Sequence, residues 1–473
     1  MLNYIWLSLV VAAVLIGGWH NLTGAPTGAL KEVTGQAFEM TRVAVMEIAL
    51  PLIGIMALWL GIMRLAEKSG LVQLLARAFR PVMKWLFPEV PADHPAMGSM
   101  LLNMAANFLG LANAATPLGL RAMKDLETLN PRPGTATNAM CTFLAINTSS
   151  IQLVPVTAVA VLVVAGSRQP YAIIGTAMLA TTFSTVAGIT AVKLLEKLPG
   201  YRLPPVAAGG APAVEPGVSP GGNGGDGAGL GISSDAGSGG KMPPATAGET
   251  PAATLSWFGI AALGLFFLFF LGLFGAISFP ELFHNPVAVE MQRQPPAVRL
   301  LNTLSLLAIP FMLAFFPLYA ALRRVKVYEQ FVEGAKEGWQ VAVTIIPFLV
   351  AILVAVGMFR GAGGIDLVTH ALRPMLDLIH FPAELLPMCL MRPLSGSGTL
   401  GMFTELVKEF GPDSLIARTA GTIFGSTETT FYVIAVYFGA VNIRRTRHAV
   451  PAGLIADAVG IVASVIVCRM LFS

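Results

Sequence analysis

Apolar runs of about twenty residues, parted by short polar stretches, recur along this chain. Runs of that length predict membrane-spanning helices. The pattern places them at Met1–Trp19, Ile48–Met63, Tyr171–Leu195, Leu255–Phe279, Asn302–Leu322 and Val341–Met358. The first run has no Lys or Arg before its core and ends in Gly17-Gly18-Trp19-His20, so a retained helix is expected rather than a cleaved signal. An amphipathic stretch with Lys31, Glu32, Glu39, Arg42 and Glu47 leads into the second, and Val327–Gln340 leads into the last. In Leu71–Phe87, Arg77, Arg80 and Lys84 recur at helical spacing, which predicts a helix lying in the membrane interface, interrupted at Pro81.

Four segments break the apolar pattern. Met97–Leu120 is uncharged but holds Asn103, Asn107, Gly110, Asn113, Thr116, Pro117 and Gly119. Non-helical backbone at bilayer depth is tolerated only inside protein or beside a cavity, so a re-entrant hairpin is expected. An ordinary helix using Asn as interhelical glue is the alternative. Ser395-Gly396-Ser397-Gly398-Thr399 opens the corresponding segment of the second half. Asn138–Val164 is a helix broken by Asn147-Thr148-Ser149-Ser150, Gln152 and Pro155, and Thr419–Val441 is broken by Gly425-Ser426-Thr427-Glu428-Thr429-Thr430. Side chains of this kind compete for helix backbone groups, which loosens the helix where they cluster.

These landmarks recur in the same order. Pro51 answers Pro347, Arg80-Pro81 answers Arg373-Pro374, and Leu118-Gly119 answers Leu400-Gly401; Asn147 then answers Thr427-Glu428. Two repeats are expected, at 1–199 and 298–473. A Gly/Pro/Ala-rich disordered linker at 200–254 and a connecting helix at 255–279 join them. Arg64, Lys68, Arg77, Arg80 and Lys84 follow the second helix, whereas Arg323, Arg324 and Lys326 follow the helix that corresponds to the first. By the positive-inside rule the halves face opposite ways, which favours an inverted repeat with the linker in the cytoplasm; spanning hairpins would make the repeats parallel.

Composition agrees with a polytopic membrane protein: 55% of the 473 residues are hydrophobic and 12% charged. The net charge of +4 lies in short loops without a basic stripe, which argues against nucleic-acid binding. Cys141, Cys389 and Cys468 are scattered through apolar runs, so neither disulfides nor a zinc site is expected. His284, His370, His380 and His448 have no metal-ligand spacing and are expected at the surface. No HExxH or P-loop is present, and the one GxSxG match, Gly217–Gly221, falls in the Gly/Pro-rich linker; no cofactor is implied and no enzyme is expected.

Candidate solute contacts are the polar residues of the four broken segments. In the first half these are Asn107, Asn113, Asn147, Thr148, Ser149 and Gln152. In the second they are Arg392, Ser395, Ser397, Thr399, Ser426, Thr427, Glu428 and Thr430. Amides and hydroxyls both donate and accept, which suits a polar organic solute. Glu428 is costly at bilayer depth and is a candidate carrier of a coupling proton or Na⁺. A buried ion pair between Arg392 and Glu428, fixing hairpin against helix, is the structural alternative.

The first half, with Asn103-Met104-Ala105-Ala106-Asn107 and Asn113-Ala114-Ala115-Thr116-Pro117-Leu118-Gly119, resembles the bacterial spore maturation protein A family. The second, with Arg392-Pro393-Leu394-Ser395-Gly396-Ser397-Gly398 and Phe424-Gly425-Ser426-Thr427-Glu428-Thr429-Thr430-Phe431-Tyr432, resembles spore maturation protein B. The chain looks like a fusion of the two, which share a nucleoside-recognition or gate domain with concentrative nucleoside transporters and the ferrous iron transporter B family. The resemblance implies an inner-membrane protein, with a role in spore core dehydration where the separate proteins occur in spore formers. Nucleoside carriers contact the base through a Gly-Gln-Thr-Glu motif on a hairpin; Gly425-Ser426-Thr427-Glu428 is similar in letters but falls on the broken helix.

The expected function is secondary transport of a small polar or anionic solute, nucleosides included. The alternative is a non-transporting membrane assembly or gating factor. The lipid bilayer, the solute, H⁺ or Na⁺, and a second copy of the chain are the partners that follow from this reading.

Overall fold

The computed structural model describes residues 2–149 except 24–28, then 151–202, 255–283, 295–364, 367 and 381–472. The linker expected at 200–254 lies almost wholly outside these residues, as do Ser150, His284, Arg373-Pro374, His370 and His380.

The described chain is α-helical. The first part comprises α1 (Leu2–Thr23), α2 (Ala29–Arg42), a π-helical turn at Val43–Ala49, α3 (Leu50–Lys68) and α4 (Leu71–Leu86). It continues with α5 (Pro95–Phe108), α6 (Ala112–Glu127), α7 (Asn138–Ser149), α8 (Val156–Val164) and α9 (Ile173–Leu195). After the linker come α10 (Trp257–Ser278), a single turn α11 (Pro280–Phe283), α12 (Pro296–Leu322) and α13 (Val327–Gly361). The last elements are α14 (Leu386–Met391), α15 (Gly396–Phe410), α16 (Leu415–Ser426), α17 (Thr430–Gly439) and α18 (Ala449–Phe472). Six helical stretches among the described residues are long and apolar enough to cross a membrane: 6–23, 30–68, 173–195, 257–278, 298–322 and 449–472. The molecule is an all-α, multi-pass membrane protein.

Two helix pairs form its frame. α3 packs along α13, and α9 along α18. In the first pair small residues bring the backbones together: a Cβ on Gly338 would lie 2.6 Å from the Ala57 nitrogen, and one on Gly334 2.6 Å from the Leu60 carbonyl. Four-residue spacing of glycines allows such close approach in membranes, where dispersion and weak polar contacts replace the hydrophobic drive. Exposed Phe267, Leu268, Phe269 and Leu271 give α10 an outer face suited to lipid.

Two expectations are corrected, for Pro81 and for His448. Pro81 does not interrupt α4, which runs through it; the proline sits on an exposed face, where the freed carbonyl can meet water or headgroups. The amphipathic lead-in and second apolar run are one helical stretch, from Leu30 to Lys68, joined through the π turn. His448 is fully buried rather than at the surface, edge-on to the Tyr201 ring at 5.9 Å between centroids, and neither ring nitrogen has a partner. Burial, with Arg447 and Lys193 nearby, pushes its imidazole down to about 4. The three cysteines are buried and free, and α13 ends at Gly361 with left-handed Gly363 just beyond.

Candidate functional site

Both polar breaks are real interruptions of helix. α7 and α16 are each twelve residues long and each ends in a serine, Ser149 or Ser426. The chain is then non-helical before α8 and, at Thr427–Thr429, before α17. Beside each break lies a helical hairpin, α5–α6 turning at Leu109–Leu111 and α14–α15 turning at Arg392–Ser395.

The hairpin tips are tied to the breaks through the backbone. The Leu153 N–H donates to the Phe108 carbonyl at 2.8 Å, and the Phe431 N–H donates to the Pro393 carbonyl at 3.0 Å. The breaks are then tied to each other, because the Glu428 N–H donates to the Thr148 carbonyl at 2.8 Å. Each bond satisfies a main-chain group that helix termination would leave orphaned in a dry interior. The Gln152 amide adds a side-chain link, donating to Glu428 Oε1 at 3.2 Å. Gly425 lets the two halves touch here, since a Cβ on it would lie 2.5 Å from Pro155 Cβ.

The candidate residues divide into two groups. Asn147, Thr148, Ser149, Arg392, Ser395, Thr399, Ser426, Thr427 and Thr430 are buried, and most of their polar groups are spent on the framework. Thr148 donates to the Leu144 and Ala145 carbonyls, and Ser149 to the Ile146 carbonyl. Ser395 Oγ accepts the Gly398 N–H at 3.0 Å as the N-cap of α15, and Thr399 donates back to the Ser395 carbonyl. Ser426 meets Ser464 Oγ at 3.1 Å.

Arg392 is turned onto the second break rather than into open space. Its Nε donates to Thr427 Oγ1 at 3.1 Å, and Nη2 donates to the Phe424 carbonyl at 2.8 Å and to the Thr427 carbonyl. The guanidinium also lies over the Phe424 ring, 4.8 Å from its centroid. A cation is favourable there because the last carbonyls of α16 form the negative end of its dipole. The direct Arg392–Glu428 pair considered from the sequence is thus subordinate to a helix-end clamp.

The second group, Asn107, Gln152, Ser397 and Glu428, is only half-buried. Asn107 donates to Asn147 Oδ1 at 2.9 Å, and its neighbour Phe108 holds Leu153, next to Gln152. Gln152 reaches Glu428, and a Cβ on Gly396, beside Ser397, would lie 3.1 Å from Thr429 Oγ1. Gln152 and Glu428 are thus in direct contact, while Asn107 and Ser397 lie on the hairpins whose tips are tied to the breaks. Asn113 falls in the first turn of α6, its side chain outside the described residues.

Two residues absent from the sequence candidates stand out. Asp457, on α18, is buried and accepts the Thr430 hydroxyl at 2.6 Å on Oδ2. It is the single acidic residue of that helix, the same signal that marked Glu428. Tyr437, on α17, crosses to the first hairpin, where Asn103 Nδ2 approaches its hydroxyl at 3.5 Å while donating to the Ala115 carbonyl at 2.8 Å.

Among known proteins, the nucleoside-recognition Gate family matches residues 49–165, a range that holds the first hairpin and first break. Spore maturation protein B of Bacillus subtilis (strain 168) is 47% identical over 175 residues, covering 37% of this chain and 98% of that protein. Spore maturation protein A of the same organism is 41% identical over 189 residues, covering 40% of this chain and 92% of that protein. No solved structure matches. Each relative is matched over nearly its whole length, consistent with a fusion, and the chain belongs to the family of spore maturation proteins A and B.

Proposed function

We propose that the protein is a secondary carrier of a small polar or anionic solute, held near the membrane midplane between the two breaks. The observation that carries this reading is the half-buried carboxylate of Glu428, hydrogen-bonded by Gln152 where the breaks meet. A charged group at that depth is expensive, and solute or ion pathways are where such groups are kept. Nucleosides are one candidate class, in keeping with the Gate family's description. In this reading each half is a repeat, the second inverted relative to the first, with α5–α6 and α14–α15 as re-entrant hairpins. The bacterial inner membrane is the expected location, with the linker in the cytoplasm. Cysteines placed near Arg64 and near Arg360 should then be labelled from opposite sides; labelling of both from one side removes the inversion.

A second reading has its own support. Arg392, Thr148, Ser149, Ser426, Thr427 and Thr430 are buried and hydrogen-bonded to the protein itself, as expected for a non-transporting assembly or gating factor with a dry core. One experiment separates them. Purified protein is screened for thermal stabilisation by nucleosides, dicarboxylates, amino acids and metal ions, with Glu428→Gln in parallel. A carrier is stabilised by one class, and Glu428→Gln loses that shift. No stabilisation by any class, or an unchanged shift in Glu428→Gln, sinks the proposed site.

A further inference from the structure

Among the described residues, Asp457 and Glu405 are the buried carboxylates, and Glu405 is paired with Arg360 at 3.0 Å. Asp457 is 2% exposed, about a third of the way along an apolar helix, and only Oδ2 is engaged; Oδ1 has no hydrogen-bond partner. Small residues at Gly453 and Gly460, one turn to either side, press this face of α18 onto the second break. A Cβ on Gly453 would lie 2.8 Å from Thr430 Cγ2, and one on Gly460 would lie 2.6 Å from Thr427 Cγ2. The carboxyl group therefore sits against the first residue of α17, in tight packing and away from water.

We propose that Asp457 is a proton-binding site coupled to the second break. An ionised carboxylate with one bare oxygen in such a place is strongly disfavoured, and taking up a proton removes the charge. In the closed arrangement a proton is bound on Oδ1 as O–H, while Oδ2 accepts the Thr430 hydroxyl. Movement of α17 withdraws that hydroxyl and opens the packing, and the proton leaves to water, restoring the carboxylate. No other bond is made or broken. A sodium ion is less suited, because it needs several free oxygen ligands. The neighbouring Thr148 hydroxyl faces the Leu144 and Ala145 carbonyls, and the Thr148 carbonyl is taken by Glu428.

The titratable or charged groups on elements packed against α18 are few. They are Cys141 on α7, Lys193 on α9, Arg418 on α16, Tyr432 and Tyr437 on α17, and Glu428 in the break with Arg392 behind it. Arg418 lies over Phe472, at the far end of α18. Glu428 is the competing proton carrier and must be tested beside Asp457. The proposal goes beyond the transport reading and stands without it.

The test is infrared spectroscopy of the full chain in lipid, titrated from acid to alkaline pH, read at the carbonyl stretch of a protonated carboxylic acid. Wild type should keep such a band at neutral pH. Asp457→Asn should lose it and Glu428→Gln should retain it. Asp457→Glu, which preserves the acid, should shift the band and so serves if the Asn variant fails to fold. A band unchanged in Asp457→Asn, unshifted in Asp457→Glu, or missing from wild type at neutral pH overturns the proposal.

Discussion

The Glu428 amide and the Thr148 carbonyl, 280 positions apart, form a 2.8 Å hydrogen bond between the two helix breaks. The bond lies in the backbone, so side-chain substitution leaves its donor and acceptor in place. It fixes Glu428 beside Gln152, whose amide donates to the carboxylate at 3.2 Å. Gln152→Ala should therefore destabilise the protein by about 1–2 kcal/mol, within the range for an unmet hydrogen bond to a charged group. A double-mutant cycle with Glu428→Gln should return a coupling of about 0.5–1.5 kcal/mol. Unfolding in mixed detergent measures both, and additive effects would remove the link.

A buried amide ties the first hairpin together near its tip. Asn103 is fully buried and donates to the Ala115 carbonyl across the α5–α6 turn. Asn103→Leu removes that tie between the two helices and should cost about 0.5–1.5 kcal/mol. Loss of protease resistance around residues 109–111, before global unfolding, is the expected readout.

Much of this was legible in the residues themselves. The breaks at Asn147–Ser150 and Thr427–Glu428 announced themselves because hydroxyls and amides in an apolar run have few explanations other than a loosened helix. Helix ends at Gly361 and Ser426 followed from the same local chemistry. What the residues did not disclose depends on contacts between distant segments. By residue type Arg392 suggests a solute or ion-pair group, but the carbonyls it clamps become available only when α16 stops beside it. Ser395 offers a hydroxyl to a solute by residue type, and only the folded chain shows that its Oγ also caps α15. Asp457 carried its signal in plain view, a lone acid in an apolar helix, whereas Tyr437 had none: its value arises from reaching Asn103. Burial of His448 is likewise set by Tyr201 and the loop that Arg447 pins to the Tyr201 and Ala136 carbonyls.

Close packing of α3 on α13 gives a prediction about stability alone. Gly338→Val would force side-chain atoms into the Ala57 backbone, which cannot retreat as a flexible side chain could. Overpacking of this kind costs about 1–3 kcal/mol. Gly439→Val, a site with nothing within 4 Å of its Cβ, is the control and should lose only the small penalty of a β-branched residue in a helix. Equal losses in the two variants would contradict the packing argument.

His448 predicts the pH dependence of folding. Its imidazole is held down to about 4, against 6.5 when unfolded, so the unfolded chain takes up the proton first as acid is added. The sign follows: this contribution is fully present above pH 6.5 and is lost as the pH falls from there toward 4. The loss is no more than about 3 kcal/mol over that window. His448→Phe, which fills the same buried place beside Tyr201 without a titrating group, should flatten that part of the curve. Thermal midpoints measured between pH 7 and pH 4 decide it, and an unchanged slope in the Phe variant would be fatal to the assignment.

Arg392 offers the sharpest contrast between charge and shape. A lysine keeps the positive charge near the end of α16 but is a single ammonium on a flexible stem. The guanidinium instead meets Thr427 Oγ1, the Phe424 carbonyl and the Thr427 carbonyl together while lying over the Phe424 ring. If the residue acts as a charge alone, Arg392→Lys should behave as wild type. If it acts as a clamp, Arg392→Lys should lose about 1–3 kcal/mol and Arg392→Ala more, because carbonyls of the break are then left unmet in a dry interior. The break should also loosen locally, so amide exchange at Glu428 and Phe431 should rise well before the protein unfolds. Both amides donate across the break, to Thr148 and to Pro393, and their protection reports its closure directly. Unchanged exchange at both amides in Arg392→Ala would show that the guanidinium does not hold the break shut.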